Sequence, residues 1–360
     1  MIIDIIAGAR PNFMKIAPII HEIKSRTTSN LKYRLIHTGQ HYDKKMSESF
    51  FEQLNIPQPD INLGVGSGTQ AEQTGGIMVG YEKAIAEQRP DVCIVVGDVT
   101  STLACTLVAK KAGIVVAHVE GGIRSGDQTM PEEINRMATD SICDYFYTTS
   151  ELANSNLARL GHKPEQIVFV GNTMIDTLLA NEPRLQKPVF WNELNLENKG
   201  YFVLTLHRPA NVDEEGKLNT FLSIIADSAQ GLPIVFPIHP RTRQVFEKSA
   251  QAFTNIHFVD PLGYLEFNYL VKHSKAVITD SGGITEETTV MGVPCMTLRD
   301  NTERPETITE GTNELVGTNP EALKPYMEKL FAGNWKKGSI PQLWDGKTSA
   351  RIIDHLITLS

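Results

Sequence analysis

The sequence is poor in the features that mark a chain for a special environment. It has only four cysteines in 360 residues: Cys93, Cys105, Cys143 and Cys295. They sit in apolar runs without CxxC or metal-type spacing, so a disulfide framework and a zinc site are both unexpected. They read as buried free thiols of a reducing compartment, and the expected location is cytoplasmic. Positive charge is in deficit, with a net charge of −8. That argues against a nucleic-acid partner and against binding to an anionic membrane. No apolar run is long enough to span a bilayer. The opening Met1-Ile2-Ile3-Asp4-Ile5-Ile6 lacks a basic leader, so it reads as a strand and not as a signal peptide. GxGxxG, HExxH and DxD are all missing, so neither a dinucleotide cofactor nor a metal is expected. There is no low-complexity tract. The remainder, 41% apolar and 21% charged, is that of a soluble globular protein long enough for two domains.

What is present is a regular alternation of short apolar runs with helix-compatible stretches. Residues 2–7, 33–37, 92–96, 114–119, 145–148 and 167–170 read as strands, with helices over about 13–24, 69–88 and 100–110 between them. Strands at this spacing make βαβ units and a parallel sheet. A polar, proline-bearing segment, 181–200, then shifts the composition, and the domain boundary is expected between Gly171 and Gly200. A second series follows, with strands near 201–206, 234–238, 256–259, 276–279 and 295–298, and a last helix over 348–359. The expected architecture is α/β: two doubly wound units whose facing strand ends form a central cleft.

The chemistry gathers at strand ends. Thr279-Asp280-Ser281-Gly282-Gly283 joins a buried strand to a helix. Paired glycines let a ligand approach the backbone, and the free amides and dipole of the helix start attract an anion, phosphate above all. The plainer alternative is a capped turn with Ser281 as N-cap. Glu287, about one turn on, has acceptors suited to a sugar diol. Cations collect at the same edge: His207 and Arg208, His239 and Arg241, and Arg304. In the first half, Arg10 and Lys15 follow the first strand and would otherwise be solvated surface cations. Three acids, Asp98, Glu120 and Glu132, fall at or after strand ends, where burial and mutual repulsion suit acid/base work. The plain readings are an N-cap for Asp98 and a dipole partner for Glu132. Glu120, between an apolar strand and two glycines, has the poorest structural excuse, and Arg124 nearby is placed to keep a carboxylate ionised. One half therefore reads as a grip on a nucleotide diphosphate, the other as acids and bases facing a sugar.

These residues resemble a known family. Gly8-Ala9-Arg10-Pro11, Gly97-Asp98, His118-Val119-Glu120-Gly121-Gly122-Ile123-Arg124, Pro131-Glu132-Glu133-Ile134-Asn135-Arg136, Gly171-Asn172-Thr173, Leu206-His207-Arg208, Asp280-Ser281-Gly282-Gly283 with Glu286-Glu287, and Arg299-Asp300-Asn301-Thr302-Glu303-Arg304-Pro305-Glu306 occur in the order found in the non-hydrolysing UDP-N-acetylglucosamine 2-epimerases. The resemblance runs from the first strand to about Gly317. It implies a GT-B fold with two Rossmann-like domains. These would be residues 1–172, rejoined by the last helix (346–360), and a UDP-binding domain, 173–345. It implies elimination of UDP across C1–C2 of the sugar to a glycal, then re-addition after the proton returns to the other face. Asp98, Glu120 and Glu132 would be the acid/base groups, with His207 at the departing diphosphate. Arg10, Ser281, Gly282, Gly283 and Arg304 would hold phosphate, Glu287 the ribose, and Phe267 the uracil through its backbone. Lys15 and Arg136 complete the substrate-binding set. The implied partner is a UDP-sugar, with no cofactor, and a homodimer is the expected assembly only as the commonest case.

Part of the sequence departs from that pattern. Gln40 and His41 match the site where some bacterial members bind substrate as an allosteric activator. Ser67-Gly68-Thr69-Gln70 lacks the Arg-Gln pair of that site, and His239-Pro240-Arg241 differs from the family's His-Leu-Asn-Pro form. With Gly263-Tyr264-Leu265, these features also resemble the branch acting on UDP-2,3-diacetamido-2,3-dideoxy-glucuronate. A GT-B glycosyltransferase and a non-catalytic sugar-nucleotide sensor are the competing readings.

Overall fold

Strands covered on both faces read as near-continuous apolar runs, and this chain builds its sheets from such runs. The computed structural model describes residues 1–26, 30–39, 51–208, 211, 216–238 and 253–359, except the side chains of Arg10 and Lys217. By contacts the chain divides into Met1–Ala180 with Gln342–Ser360, and Asn181–Pro341.

The first unit runs β1 (Ile2–Ala7), α1 (Arg10–Ser25), β2 (Lys32–His37), β3 (Ile61–Asn62), α2 (Gln70–Glu87), β4 (Val92–Val96), α3 (Thr100–Lys111), β5 (Val115–Val119), α4 (Pro131–Asp140), β6 (Tyr145–Thr148), α5 (Glu151–Arg159), β7 (Ile167–Phe169) and α6 (Thr173–Asn181). Its parallel sheet has the order β3-β2-β1-β4-β5-β6-β7. Ile6, Cys93, Val95 and Val116 from the strands pack with Tyr81 and Ile85 of α2 and Cys105 and Val108 of α3. All four cysteines are free and buried. Helix α1 begins three residues before its apolar pattern does. The reason is Asn12, whose Oδ1 accepts the amides of Gly8 (3.0 Å) and Ala9 (2.9 Å) while Nδ2 donates to Val96 O at 3.1 Å. That one side chain fastens the turn after β1 to the end of β4.

The second unit runs β8 (Phe202–Thr205), α7 (Lys217–Ser228), β9 (Ile234–Pro237), β10 (Ile256–Val259), α8 (Tyr264–His273), β11 (Ala276–Thr279), α9 (Gly282–Met291), β12 (Cys295–Thr297), α10 (Glu306–Thr309), β13 (Asn313–Leu315) and α11 (Leu323–Phe331). Its sheet is parallel, in the order β10-β9-β8-β11-β12-β13. Alternate residues face opposite cores. Phe202, Leu204, Phe236, Ile278 and Met296 belong to one, and Tyr201, Val203, Val235, Val277 and Cys295 to the other.

The last helix, α12 (Thr348–Thr358), groups with the first unit. Buried Asp176 of α6 accepts the amides of Thr348 (3.0 Å) and Ser349 (2.7 Å), the first donors of that helix. Thr177 donates to Met14 O at 2.5 Å. Helix α6 is thereby tied to the first unit, and the second begins at Asn181. In each sheet the chain reverses its direction of travel between two neighbouring strands, β1 and β4 in the first and β8 and β11 in the second. In open α/β sheets the crevice beyond the carboxyl ends at that reversal is where ligands bind.

Candidate active site

Several of the residues singled out above, among those described, lie beyond the strand ends near those two reversals. In the first unit, Glu120 follows β5 and is 4% exposed. Its Oε2 is 2.7 Å from Nζ of Lys15, which comes from α1. Glu120 holds a left-handed backbone (φ 69°), a conformation that costs a side-chain-bearing residue about 1–2 kcal/mol. Strain of this kind concentrates at functional sites. The turn is possible because Gly122 follows it: at φ +82°, a Cβ there would sit 2.4 Å from the carbonyl oxygen of Ala153. Gly97, also left-handed after β4, lies against the ion pair, where a Cβ would stand 3.1 Å from Lys15 Nζ and 3.8 Å from Glu120 Oε2.

Asp98 adjoins this pair through Gly97. Its carboxylate receives a guanidinium N–H of Arg136, and its carbonyl accepts from Asn135 Nδ2 at 2.8 Å. Arg136 also donates to Glu133 at 2.7 Å, and Glu133 in turn accepts the amides of Ser125 (2.9 Å) and Gly126 (3.1 Å). Burial alone would raise the Glu133 carboxyl, but these amides and Arg136 hold it below the usual range. Glu132 is half-buried in the first turn of α4, and its carboxylate makes no hydrogen bond or ion pair among the described residues. It stands four residues before Arg136, on the same face of the helix.

Beneath this layer lies a buried cluster that the sequence reading did not assign. His118 Nδ1 is 2.7 Å from Asp140 Oδ1, and Nε2 is 2.8 Å from Gly97 O. Arg124 donates to Asp140 Oδ2 at 2.6 Å, and the amide of Gly122 to the same oxygen at 3.0 Å. Burial opposes ionisation of Asp140, yet His118 and Arg124 keep its carboxyl low. Arg124, expected to keep a carboxylate ionised, does so at Asp140 and not at Glu120. The partner of Glu120 is Lys15.

In the second unit, α9 starts at Gly282 with Ser281 as N-cap, and no side chain caps it. The Ser281 hydroxyl makes no hydrogen bond among the described residues, so the capped-turn alternative is not what forms. Arg299, from the end of β12, reaches Glu303 through both terminal nitrogens (2.8 and 2.7 Å). A Cβ on Gly282 would be 3.6 Å from both Arg299 and Glu303. Arg304 is 7% exposed and turns its Nε to Glu286 of the same helix. Buried Glu287 accepts from Tyr264 Oη at 2.9 Å and Asn268 Nδ2 at 3.4 Å. Burial raises its carboxyl to about 7, although both hydrogen bonds act the other way. Phe267, half-buried, packs against the core cluster that contains Trp191, Tyr201 and Val277. Its amide donates to Gly263 O at 2.9 Å at the start of α8, so a backbone contact to uracil from this residue would fall to its carbonyl.

The chain matches the family model described as "UDP-N-acetylglucosamine 2-epimerase" over residues 22–357. It is 42% identical to the UDP-N-acetylglucosamine 2-epimerase of Methanocaldococcus jannaschii over 98% of both chains. The chain belongs to this family. The crystal structure of the M. jannaschii enzyme in complex with UDP-GlcNAc and UDP superposes with a TM-score of 0.87, at 41% identity and complete coverage of both chains. A further relative, the UDP-2,3-diacetamido-2,3-dideoxy-D-glucuronate 2-epimerase of Pseudomonas aeruginosa, is 39% identical over 98% of this chain and 99% of its own. The fold is α/β of the GT-B type, with the two doubly wound parallel sheets described above.

Within that family fold the structure joins Lys15 to Glu120, and Asp98 to Arg136. It seats Ser281, Gly282 and Gly283 at one helix start, with Glu287 and Arg304 held on or against the same helix. Arg10 opens α1, at the carboxyl end of β1. Gln40, His41, His239 and Arg241 lie outside the described residues. Asn12, Asp140 and Asp280 support these edges without standing out in the sequence. Each is a short polar residue beside an apolar strand or a turn, a signal too common to single one out.

Proposed function

We propose that this chain interconverts UDP-N-acetylglucosamine and UDP-N-acetylmannosamine. The second unit holds the nucleotide: the open first turn of α9 and its nearby arginines take the diphosphate, and Glu287 the ribose. The first unit supplies the proton chemistry. A base removes the C2 proton, the C2–H electron pair becomes the C1=C2 double bond, and the C1–O pair leaves with UDP. In reverse, a UDP oxygen adds to C1 while a proton returns to C2 on the opposite face. Glu120, Asp98 and Glu132 share these proton transfers. The phosphate-binding groups stabilise the charge that develops on the leaving diphosphate.

The observation that carries this reading is Glu120, a buried carboxylate fixed in a strained turn and ion-paired with Lys15 at the sheet's reversal. A purely structural carboxylate needs no left-handed turn. The test is incubation with UDP-GlcNAc in deuterated water, followed by NMR of C2–H. Loss of that signal, with a second UDP-N-acetylhexosamine appearing, supports epimerisation. UDP release that requires an acceptor supports a glycosyltransferase, and binding without change supports a sensor. The P. aeruginosa relative motivates a parallel incubation with the diacetamido-glucuronate nucleotide, and preferential turnover of that compound would reassign the substrate. A homodimer remains the expected assembly, checked by light scattering. No helix among the described residues is long and apolar enough to cross a membrane. The buried free thiols fit a cytoplasmic location.

A further inference from the structure

The side chain of His207 is anchored at one end. Its Nδ1 lies 2.7 Å from Oδ1 of Asp280, and 58% of the side chain is exposed. The other ring nitrogen, Nε2, meets no described residue. Asp280 is fully buried. Its Oδ2 accepts the amides of His207 (3.1 Å) and Arg208 (3.0 Å) and Nδ2 of Asn211 (3.0 Å), whereas Oδ1 faces the His207 ring and, at 3.2 Å, the His207 amide. Burial alone would raise this carboxyl, but His207, Asn211 and the Arg208 amide together keep it below the usual carboxylate range. An ionised carboxylate only accepts hydrogen bonds, so the ring nitrogen facing it must carry a proton. The imidazole is thereby fixed with hydrogen on Nδ1.

The position of the other nitrogen follows from the sheet. Thr205 and Thr279 are register partners on β8 and β11. His207 and Ser281 each stand two residues beyond that rung, at the reversal of strand order. The unit therefore sets an exposed Nε2 at the same sheet edge as the uncapped start of α9. An anionic diphosphate bound there can be met by Nε2 only if that nitrogen is protonated as well. The ring would then be an imidazolium lying between two anions.

We propose that Asp280 is the positioning residue for His207: it locks the Nδ1–H form, turns Nε2 outward, and keeps the ring cationic when it donates to the departing diphosphate. This rests on the epimerase reading of the site. Its chemical consequence is a charge-assisted contact, which is roughly twice as strong as a neutral hydrogen bond.

Asp280→Asn tests it with little change of shape. Three donors converge on Oδ2, so the amide oxygen of the variant belongs there and its NH2 turns to the ring. Nδ1 must then accept, and His207 becomes neutral with its proton on Nε2. We expect kcat for C2 epimerisation to fall on the order of 10- to 100-fold, with KM and the Kd for UDP changed less than about threefold. The second readout is ¹⁵N NMR of histidine-labelled full-length protein, with His207 assigned by its loss in His207→Gln. In the UDP complex, the parent should carry protons on both ring nitrogens, and Asp280→Asn on Nε2 alone. A role confined to holding the loop would alter melting temperature and KM without moving the ring protons.

The proposal is overturned if Nδ1 of the parent is unprotonated, or if Asp280→Asn keeps kcat within twofold of the parent. The spectrum of the parent decides the question even if the variant does not fold. It also decides independently of the epimerase reading, which fails separately if the parent shows no deuterium incorporation at C2.

Discussion

The acids of this chain are sorted by their surroundings, and their titration should show it. Burial raises the carboxyls of Glu287 and Glu306 to about 7, from an ordinary value of 4.5. Arg304 counteracts this at Glu306, and hydrogen bonds do so at Glu287. A carboxyl whose folded value is raised binds its proton more tightly in the native state. Its contribution is fully present below about pH 4.5 and is lost as pH rises through about 7. Chemical denaturation across that window should show stability falling with pH. Glu287→Gln and Glu306→Gln should each flatten the fall, by at most about 3 kcal/mol. Asp140 and Asp280 behave oppositely, since their lowered carboxyls stabilise at neutral pH and lose that contribution in acid. Pairings of this kind are hard to read from sequence. Arg124 lies near Glu120 in the chain but reaches Asp140, 16 residues on, and the partner of Glu120 is 105 residues away. The chain shows which residues are chargeable; the sheet decides which of them meet.

At the scale of elements, the strands were legible because burial on both faces leaves a plain apolar run. The exceptions obey the same logic. β3, two residues long, and β13, Asn313–Leu315, are edge strands of their sheets. Neither is apolar enough or long enough to stand out from a loop. β1 contains a polar residue that the pattern tolerates: Asp4, fully buried, meets its register partner Arg34 on β2 at 2.8 Å and Tyr81 Oη at 3.1 Å. Removing one member of such a pair leaves a buried charge uncompensated. Arg34→Leu should therefore destabilise the protein by about 3–5 kcal/mol, read as a lower urea midpoint with an unchanged slope. The turn after β5 is equally intolerant. Gly122→Ala combines a backbone clash with a left-handed φ, and it should cost about 3 kcal/mol or more. The same change at Gly282, where a Cβ meets only ordinary 3.6 Å contacts, should leave the melting temperature within a few degrees while adding a methyl group at the proposed phosphate site.

Across the whole molecule, two sheets of the same design hold different side chains at equivalent places. Each reverses its strand order once, and each gathers its polar residues beyond that point: Lys15, Asp98 and Glu120 in one, His207, Asp280 and Ser281 in the other. Glycine pairs and strand-end charges in the sequence do fall beyond the carboxyl ends of strands in both sheets. The buried supports behind them, His118 with Asp140 and Asn211 with Asp280, come from residues far apart in the chain and emerge only once the strands are aligned. The central claim is a division of labour, with chemistry at C2 performed by the first unit and nucleotide affinity supplied by the second. Glu120→Gln tests it most directly, with C2 deuterium exchange and UDP affinity measured on the same sample. The account predicts exchange reduced by at least about 10²-fold with the Kd for UDP essentially that of the parent. Exchange surviving in this variant, or lost only in step with UDP binding, would contradict it.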